Sequence, residues 1–407
     1  MKKDPLVQNR RNFLKNSIAG FAGAVLIPGA LASPKDIWRT RYGSGKNMIF
    51  RRLGRTGLEL PIISIGAGCY DKSVYQSALD AGIIHIDTSQ YYYNGRHEQL
   101  VGEVLKGRKR DSYVIATSIL FGSGSPEETS FADRLRNYPL DEKFEDSLRR
   151  LGLEYVDIFY MAGINSREAV LFDPFVEKMA NLKKAGKTRF IGVATHQNEP
   201  EVIRAAVDAK VYDVVLSALN FMQNHREDVR NEMARAAKAG LGIIAMKTMA
   251  GVYWDKEQTQ PVNTRAALKW VLNDKNVHTA IPGISTHDQL QANLSIMGDL
   301  TLSEEEKADL KLNDEPPGAG LYCRQCRRCL LQCPFQLEIP DIIRSFMYAY
   351  GYKNLALAQT VLKNSIPDML PCYDCDSCSV ICPNGIKIKE RITDIARIKE
   401  IPEEFLS

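Results

Sequence analysis

The chain has 407 residues, 44% hydrophobic and 25% charged, with a formal net charge of +4. That composition is ordinary for a globular protein and the length suffices for two domains. Five basic residues and one acid among the first fifteen positions account for the +4, so the remainder is near neutral and carries no nucleic-acid footprint.

Lys2, Lys3, Arg10, Arg11 and Lys15 precede an apolar, Gly/Ala-rich run from Ser17 to Ala32. The run ends in Ala30-Leu31-Ala32, a small-x-small cleavage pattern. Gly20, Gly23, Pro28 and Gly29 leave it too short and too broken for a membrane span. Arg10-Arg11 followed by Phe13, Leu14 and Lys15 resembles a twin-arginine export signal. Residues 1–32 are therefore expected to be a signal peptide and 33–47 a linker. The expected destination is the periplasm or the outer face of the cytoplasmic membrane. Contact with the membrane would come only through an uncleaved leader. An ordinary N-terminal helix or an anchor is the alternative.

Between residues 48 and 312 the chain alternates. Eight short apolar runs appear: "PIISIG", "IIHID", "SYVIATS", "YVDIFYM", "RFIGVAT", "YDVVLSAL", "GIIAMK" and "HTAIPG". Amphipathic stretches such as "EDSLRRLG" and "PEVIRAAVDA" separate them. Apolar strands alternating with helical patterns predict a parallel sheet. Eight such units over this length predict a (β/α)8 TIM barrel of α/β class. Its active face lies at the strand C-termini, which places Asp87, Ser118, Ala162, Thr195, His196 and Lys247 near one mouth. Cys69 is expected to be a buried, inert thiol. "NDEPPGAG", residues 313–320, reads as a linker.

The remaining eight cysteines fall after residue 320, in the expected 321–407 domain. Cys323, Cys326, Cys329 and Cys333 precede Pro334; Cys372, Cys375, Cys378 and Cys382 precede Pro383. Both runs read C-x2-C-x2-C-x3-C-P, the bacterial ferredoxin spacing, in which the fourth cysteine serves the other cluster. Two [4Fe-4S] clusters are expected. Cys323, Cys326, Cys329 and Cys382 would hold one, and Cys372, Cys375, Cys378 and Cys333 the other. Zinc sites usually draw on two well-separated pairs, and a disulfide framework is the other rival in an oxidising compartment. The insert between the runs has helical spacing and resembles the small α-helical type of two-cluster ferredoxin domain. A cluster protein must leave the cytoplasm folded, which suits a twin-arginine leader.

"FRRLGRTGLELPIISIGAG", "HIDTSQYYYNG", "LGLEYVDIFY", "GKTRFIGVATH", "GLGIIAMK" and "ALKWVLNDKNVHTAIPG" resemble successive motifs of the aldo-keto reductases. The resemblance covers nearly all of the barrel region, and the whole layout resembles exported members with a C-terminal ferredoxin domain. It implies carbonyl reduction by a nicotinamide hydride. A tyrosine supplies the proton, assisted by a lysine, an aspartate and a histidine; such general-acid work is worth roughly 10²- to 10⁴-fold. Asp87 matches the aspartate and Tyr92 the tyrosine, with Tyr91 and Tyr93 beside it. Ser118 stands at the lysine's place and Ala162 at the histidine's. His196 is the candidate replacement, and His85 is expected to be a core histidine bonded to backbone. Of the dinucleotide contacts, the nicotinamide positions read Ala194, Thr195 and Leu216. The adenosine-phosphate positions read Gln289 and Ala292, with Asn293 retained; Lys247 and Thr248 sit where the pyrophosphate would lie. Bound NAD(P), if carried, would be non-dissociating. Without a lysine beside it, Tyr92 is expected to titrate near about 10.

Three functions follow from these residues. The first is an exported oxidoreductase acting on a small, sugar-like carbonyl or alcohol, with electrons passing through the clusters to a redox partner protein. The second is an electron-transfer subunit with a degenerate barrel. The third is a non-redox lyase or hydratase using Asp87 and His196. One difficulty attends the first: nicotinamide moves two electrons as hydride, whereas each cluster moves one.

Overall fold

The computed structural model describes residues 48–407 apart from 69, 121–137, 256, 312–319, 324–325, 368, 376–377, 403–404 and 407. The leader and linker expected at 1–47, most of the linker at 313–320, and Cys69 lie outside the described residues.

Strands β1 (Phe50–Arg52) and β2 (Glu59–Pro61) form an antiparallel hairpin. Its runs are three residues long, too short and polar for strand counting to find. Leu53 and Leu60 from this hairpin join Val114, Ile158, Tyr160, Val214 and Ile244 in a buried cluster inside the barrel.

Seven strands follow in one sheet, in chain order. They are β3 (His85–Asp87), β4 (Val114–Leu120), β5 (Val156–Ala162), β6 (Thr188–Thr195), β7 (Val214–Ala218), β8 (Gly242–Met246) and β9 (Thr279–Ala280). Every neighbouring pair is parallel. Residues 62–66 take the eighth place through single bridges, Ile65 to Ile86 on one side and Ile63 to Ala280 on the other. The Ile65 N–H donates to His85 O at 2.9 Å and the Ala280 N–H to Ile62 O at 2.9 Å, which closes the ring. All eight expected strands are therefore present, and the fold is a (β/α)8 barrel.

Side chains alternate across these strands as a pleat requires. Val114 and Ala116 face the barrel interior, while Ile115 and Ile119 face the outer helices. The outer helices bury one stripe each. In Leu140–Leu151 the buried positions are Leu140, Phe144, Ser147, Leu148 and Leu151, a spacing of three and four that puts them on one face. Gly152 ends that helix in the left-handed conformation.

The C-terminal unit is helical, with Ile339–Tyr350, Leu355–Ser365 and Ile388–Ala396 as its main helices. Its core is continuous with the barrel. Ile342, Phe346 and Met347 pack in one cluster with Phe221, Met222, Ala250 and Trp254 from the loops after β7 and β8. The cluster domain thus sits on the barrel mouth. Gly251, in the loop after β8 with φ +94°, lies against Met347, where a Cβ would come within 3.0 Å of Cγ. The Gly251 N–H donates to the Tyr352 hydroxyl at 3.3 Å, and Gln258 Nε2 donates to Tyr350 O. Among the described residues, no helix is long and apolar enough to cross a membrane.

Candidate functional site

A pocket opens where the two domains meet. The barrel contributes Ser89, Tyr91, Tyr92, Ser118, Ala162, Asn165, His196 and Gln197 from the ends of β3 to β6. The cluster domain contributes Asp341, Arg344, Tyr348, Leu357, Val361 and Asn364. The space open to the centres of water-sized molecules is about 90 Å³.

Ser118 and Ala162, at the places of the family's lysine and histidine, both line this pocket. Ser118 ends in a hydroxyl and Ala162 in a methyl, so neither supplies a cation. The carbonyl of Ser118 is used locally, accepting from Ser89 Oγ at 2.9 Å.

Asp87 closes β3 and is buried, 4% exposed, with Oδ2 unpartnered. Its register partner is Ala116, so it points into the barrel. Burial pushes its carboxyl up to about 8, against the pull of the Lys247 charge. It is therefore largely protonated near neutrality. Lys247 comes from the opposite wall, after β8, with φ 58°. Its ammonium lies 4.9 Å from the centroid of the Tyr348 ring.

Tyr92 is half-buried and lines the pocket together with Tyr91. The turn behind it is unusual: Tyr93, Asn94 and Gly95 all have positive φ. That turn sends Tyr93 away from the pocket, where Asn354 Nδ2 donates to its hydroxyl at 2.8 Å. Tyr92 does not titrate near its ordinary value as expected. Burial and the neighbouring Tyr348, Asp87 and Tyr91 raise it well above, with Arg344 pulling down. Water is excluded around it by the cluster domain, which sequence spacing could not show.

His196 follows β6 and lines the pocket with Nε2 buried and unpartnered. Burial, then Arg344 and Lys247, drive its pKa well below the ordinary value. The expectation of a group poised near about 6.5 gives way to a neutral imidazole. His85 differs from expectation too. It is fully buried and both ring nitrogens lack partners, backbone included. Burial lowers it to about 4. His97, which sequence reasoning passed over, is the bonded core histidine. Its Nε2 meets Tyr75 Oη at 2.7 Å and its Nδ1 meets Thr88 Oγ1 at 2.6 Å.

The expected dinucleotide residues are Lys247, Thr248 and Asn293. Thr248 Oγ1 and Asn293 Nδ2 are buried and unpartnered, as orphaned ligand contacts would be. Around them the loops are held by local contacts. Gly251 is covered by Met347 and Tyr352. Ser285 Oγ donates to Gly68 O at 2.8 Å, the Ser285 N–H donates to Gln289 Oε1 at 2.7 Å, and Ser73 Oγ meets His287 Nε2 at 3.1 Å. The cluster domain reaches the part of the mouth above β8 through Met347 and Tyr352.

None of the eight cysteines of the two runs forms a disulfide. Cys333, Cys372, Cys375 and Cys378 line one hollow, with Leu337, Ile339, Ile388 and Ile392 around them. Burial and the thiols of Cys375, Cys333 and Cys378 push Cys372 up to about 11. Burial, Cys326 and Cys382 likewise push Cys329 up to about 11. Thiols crowded this way repel as thiolates, a cost that a cationic core removes. Among the described residues, no three His, Cys, Asp or Glu side chains converge on one point as a single ion requires. Four thiols around a hollow suit a polynuclear centre, in which separate irons take separate thiolates.

Residues 70–265 match the model of the Aldo/keto reductase family, and residues 322–387 match a 4Fe-4S dicluster domain. The barrel is an aldo/keto reductase domain. The C-terminal unit is an iron–sulfur domain of ferredoxin type. The chain is thus an oxidoreductase of the aldo/keto reductase type. The chain is 24% identical over 345 residues to L-glyceraldehyde 3-phosphate reductase of Escherichia coli O157:H7, covering 69% of this chain and 94% of that one. It is 25% identical over 304 residues to L-galactose dehydrogenase of Arabidopsis thaliana, 63% of this chain and 92% of that one. In structure it resembles the holo form of an aldo-keto reductase from Bacillus halodurans, with a TM-score of 0.53 and 20% identity over 66% of this chain and 97% of that one. An aldo-keto reductase from Klebsiella pneumoniae in complex with NADPH matches with a TM-score of 0.50 and 21% identity, over 66% of this chain and 96% of that one. These two likenesses show the fold.

Proposed function

We propose that this aldo/keto reductase domain interconverts the alcohol and carbonyl forms of a small polar substrate in the interdomain pocket, exchanging electrons through two [4Fe-4S] clusters with a partner protein. One observation carries this reading. The pocket and the hollow flank the same helix. Ile339 lines the hollow, and Asp341 and Arg344 line the pocket. At about 1.5 Å rise per residue, Ile339 and Arg344 are only about 7.5 Å apart along the axis.

The balance is simple. Reducing one carbonyl to an alcohol consumes two electrons and two protons, and oxidation is the reverse; two clusters would supply the electrons, one each. Cys323, Cys326, Cys329 and Cys382 would hold one; Cys333, Cys372, Cys375 and Cys378 would hold the other. The chain's own residues handle the protons. Tyr92 meets the substrate oxygen, and its raised pKa keeps the hydroxyl protonated. Asp87 stands behind Tyr92 as a buried proton store. His196, held neutral, is the pocket's other proton-exchanging group, through Nε2. No step needs NAD(P), and Lys247 acts here as a fixed positive charge facing Asp87. Export by the twin-arginine route, directed by Arg10 and Arg11, would deliver the loaded protein folded.

The test is anaerobic. Oxidised holoprotein is mixed with a panel of small alcohols, and the visible cluster absorbance is followed. Substrate-dependent bleaching, lost in Tyr92→Phe, is expected. Reducible clusters with no response to any alcohol or carbonyl would favour the electron-transfer reading, which the Ser118 and Ala162 replacements support. Stoichiometric NAD(P) released from denatured protein would overturn the dinucleotide-free mechanism.

A further inference from the structure

The pocket is lined on one side by a half-buried cation, Arg344. Arg344 sits in the middle of the Ile339–Tyr350 helix with its side chain 13% exposed. Among the described residues its hydrogen bond goes to Asp341 Oδ1, from Nη1 at 2.8 Å. Gln197 Nε2 donates to the same carboxylate oxygen, so Asp341 is held from both domains. A guanidinium carries five donors in a planar fork, and this one uses a single nitrogen on Asp341. Arg344 is among the residues that line the pocket. Two more polar atoms there lack partners. Gln197 Oε1 and His196 Nε2 are both buried and unpaired, a costly state that a ligand would relieve.

We propose that the interdomain pocket binds a small hydroxycarboxylate, its carboxylate on Arg344 and its hydroxyl donating to Gln197 Oε1. The inference deepens the redox reading above and rests on it for the fate of the reacting carbon. A planar fork matches a carboxylate. An amide oxygen that only accepts needs a donor, which a hydroxyl provides. Size narrows the class. The space of about 90 Å³ is several times what one water needs, which suits a small hydroxy acid of a few carbons. No local pattern signals this site, because Arg344 lies in the cluster domain, far along the chain from the barrel residues that line the same pocket.

The test uses holoprotein, with glycerate and lactate as probes and glycerol and lactamide as neutral counterparts, followed by calorimetry. The acids are expected to bind roughly 10- to 100-fold more tightly than the neutral compounds, the range of a hydrogen bond to a charged group. Arg344→Met is expected to abolish that preference and Arg344→Lys to keep part of it. If Arg344→Met does not fold because Asp341 is left unpaired, the joint Arg344→Gln and Asp341→Asn variant removes both charges and must likewise lose it. Equal binding of glycerate and glycerol, or an unchanged preference in these variants, overturns the proposal. Acid binding without cluster reduction keeps the carboxylate site and sinks the redox reading. Turnover of neutral alcohols with no preference for acids does the reverse.

Discussion

Asp87 is a carboxyl kept from water, and its proton affinity has a measurable consequence. A carboxyl raised to about 8 in the folded chain binds a proton that the unfolded chain has released. Between the ordinary carboxylate value and about 8, stability therefore falls as pH rises. Asp87→Asn, which cannot ionise, should be stabilised relative to the parent. The gap in melting temperature should widen from pH 5 to pH 8 and then level off. A gap that narrows with rising pH would mean the carboxyl is ionised and paired. Tyr92→Phe and Tyr91→Phe separate the neighbours: both line the pocket, but Asp87 stands among the groups acting on Tyr92 and not among those acting on Tyr91. Tyr92→Phe should lower turnover about 10²-fold or more, and Tyr91→Phe should act mainly on KM. At this scale the sequence was half legible. Asp87 and His196 were placed at the mouth by strand ends, and Tyr92 by the family resemblance. The proton affinities of Tyr92 and His196 were misjudged, because residues that shield them from water come from another domain.

At the scale of elements, the strands were readable because each is a short apolar run between helical stretches. The hairpin ahead of the barrel was not, since its six paired residues include three charged ones. The Ile339–Tyr350 helix was visible as a periodic pattern, yet its two roles were not. It walls the thiol hollow at one end and the pocket in the middle. Its end is fitted closely to the barrel: a Cβ on Gly351 would run into the Gly251 carbonyl oxygen. Gly351→Ala should therefore push the domains apart, costing roughly 1–3 kcal/mol and weakening substrate binding. Denaturant unfolding and a binding isotherm on the same variant would check both. A variant as stable as the parent would mean that the loop after β8 yields freely.

For the whole molecule, the repeat of eight cysteines was the strongest sequence signal, and the docking of the domain that carries them the weakest. Docking depends on contacts between positions such as Gly251 and Met347, which no local pattern encodes. The hollow groups Cys333 from the first run with Cys372, Cys375 and Cys378 from the second. Cys333→Ala should thus lower iron from about eight to about four per chain, with the lost paramagnetic signal belonging to the second run. Loss of the first run's centre instead would show that each run serves itself.

The roof of the pocket belongs to a domain whose thiols need metal to sit together. Metal binding and folding are coupled in such small units, so a chain robbed of its inorganic cores would lose the wall that bears Arg344 and Tyr348. An uncapped barrel would neither grip the substrate nor shelter Tyr92 from water. The molecule is in that sense interlocked: on the proposed redox reading, damage to the clusters would also disarm the pocket, so that no half-reaction would be begun that the chain cannot finish.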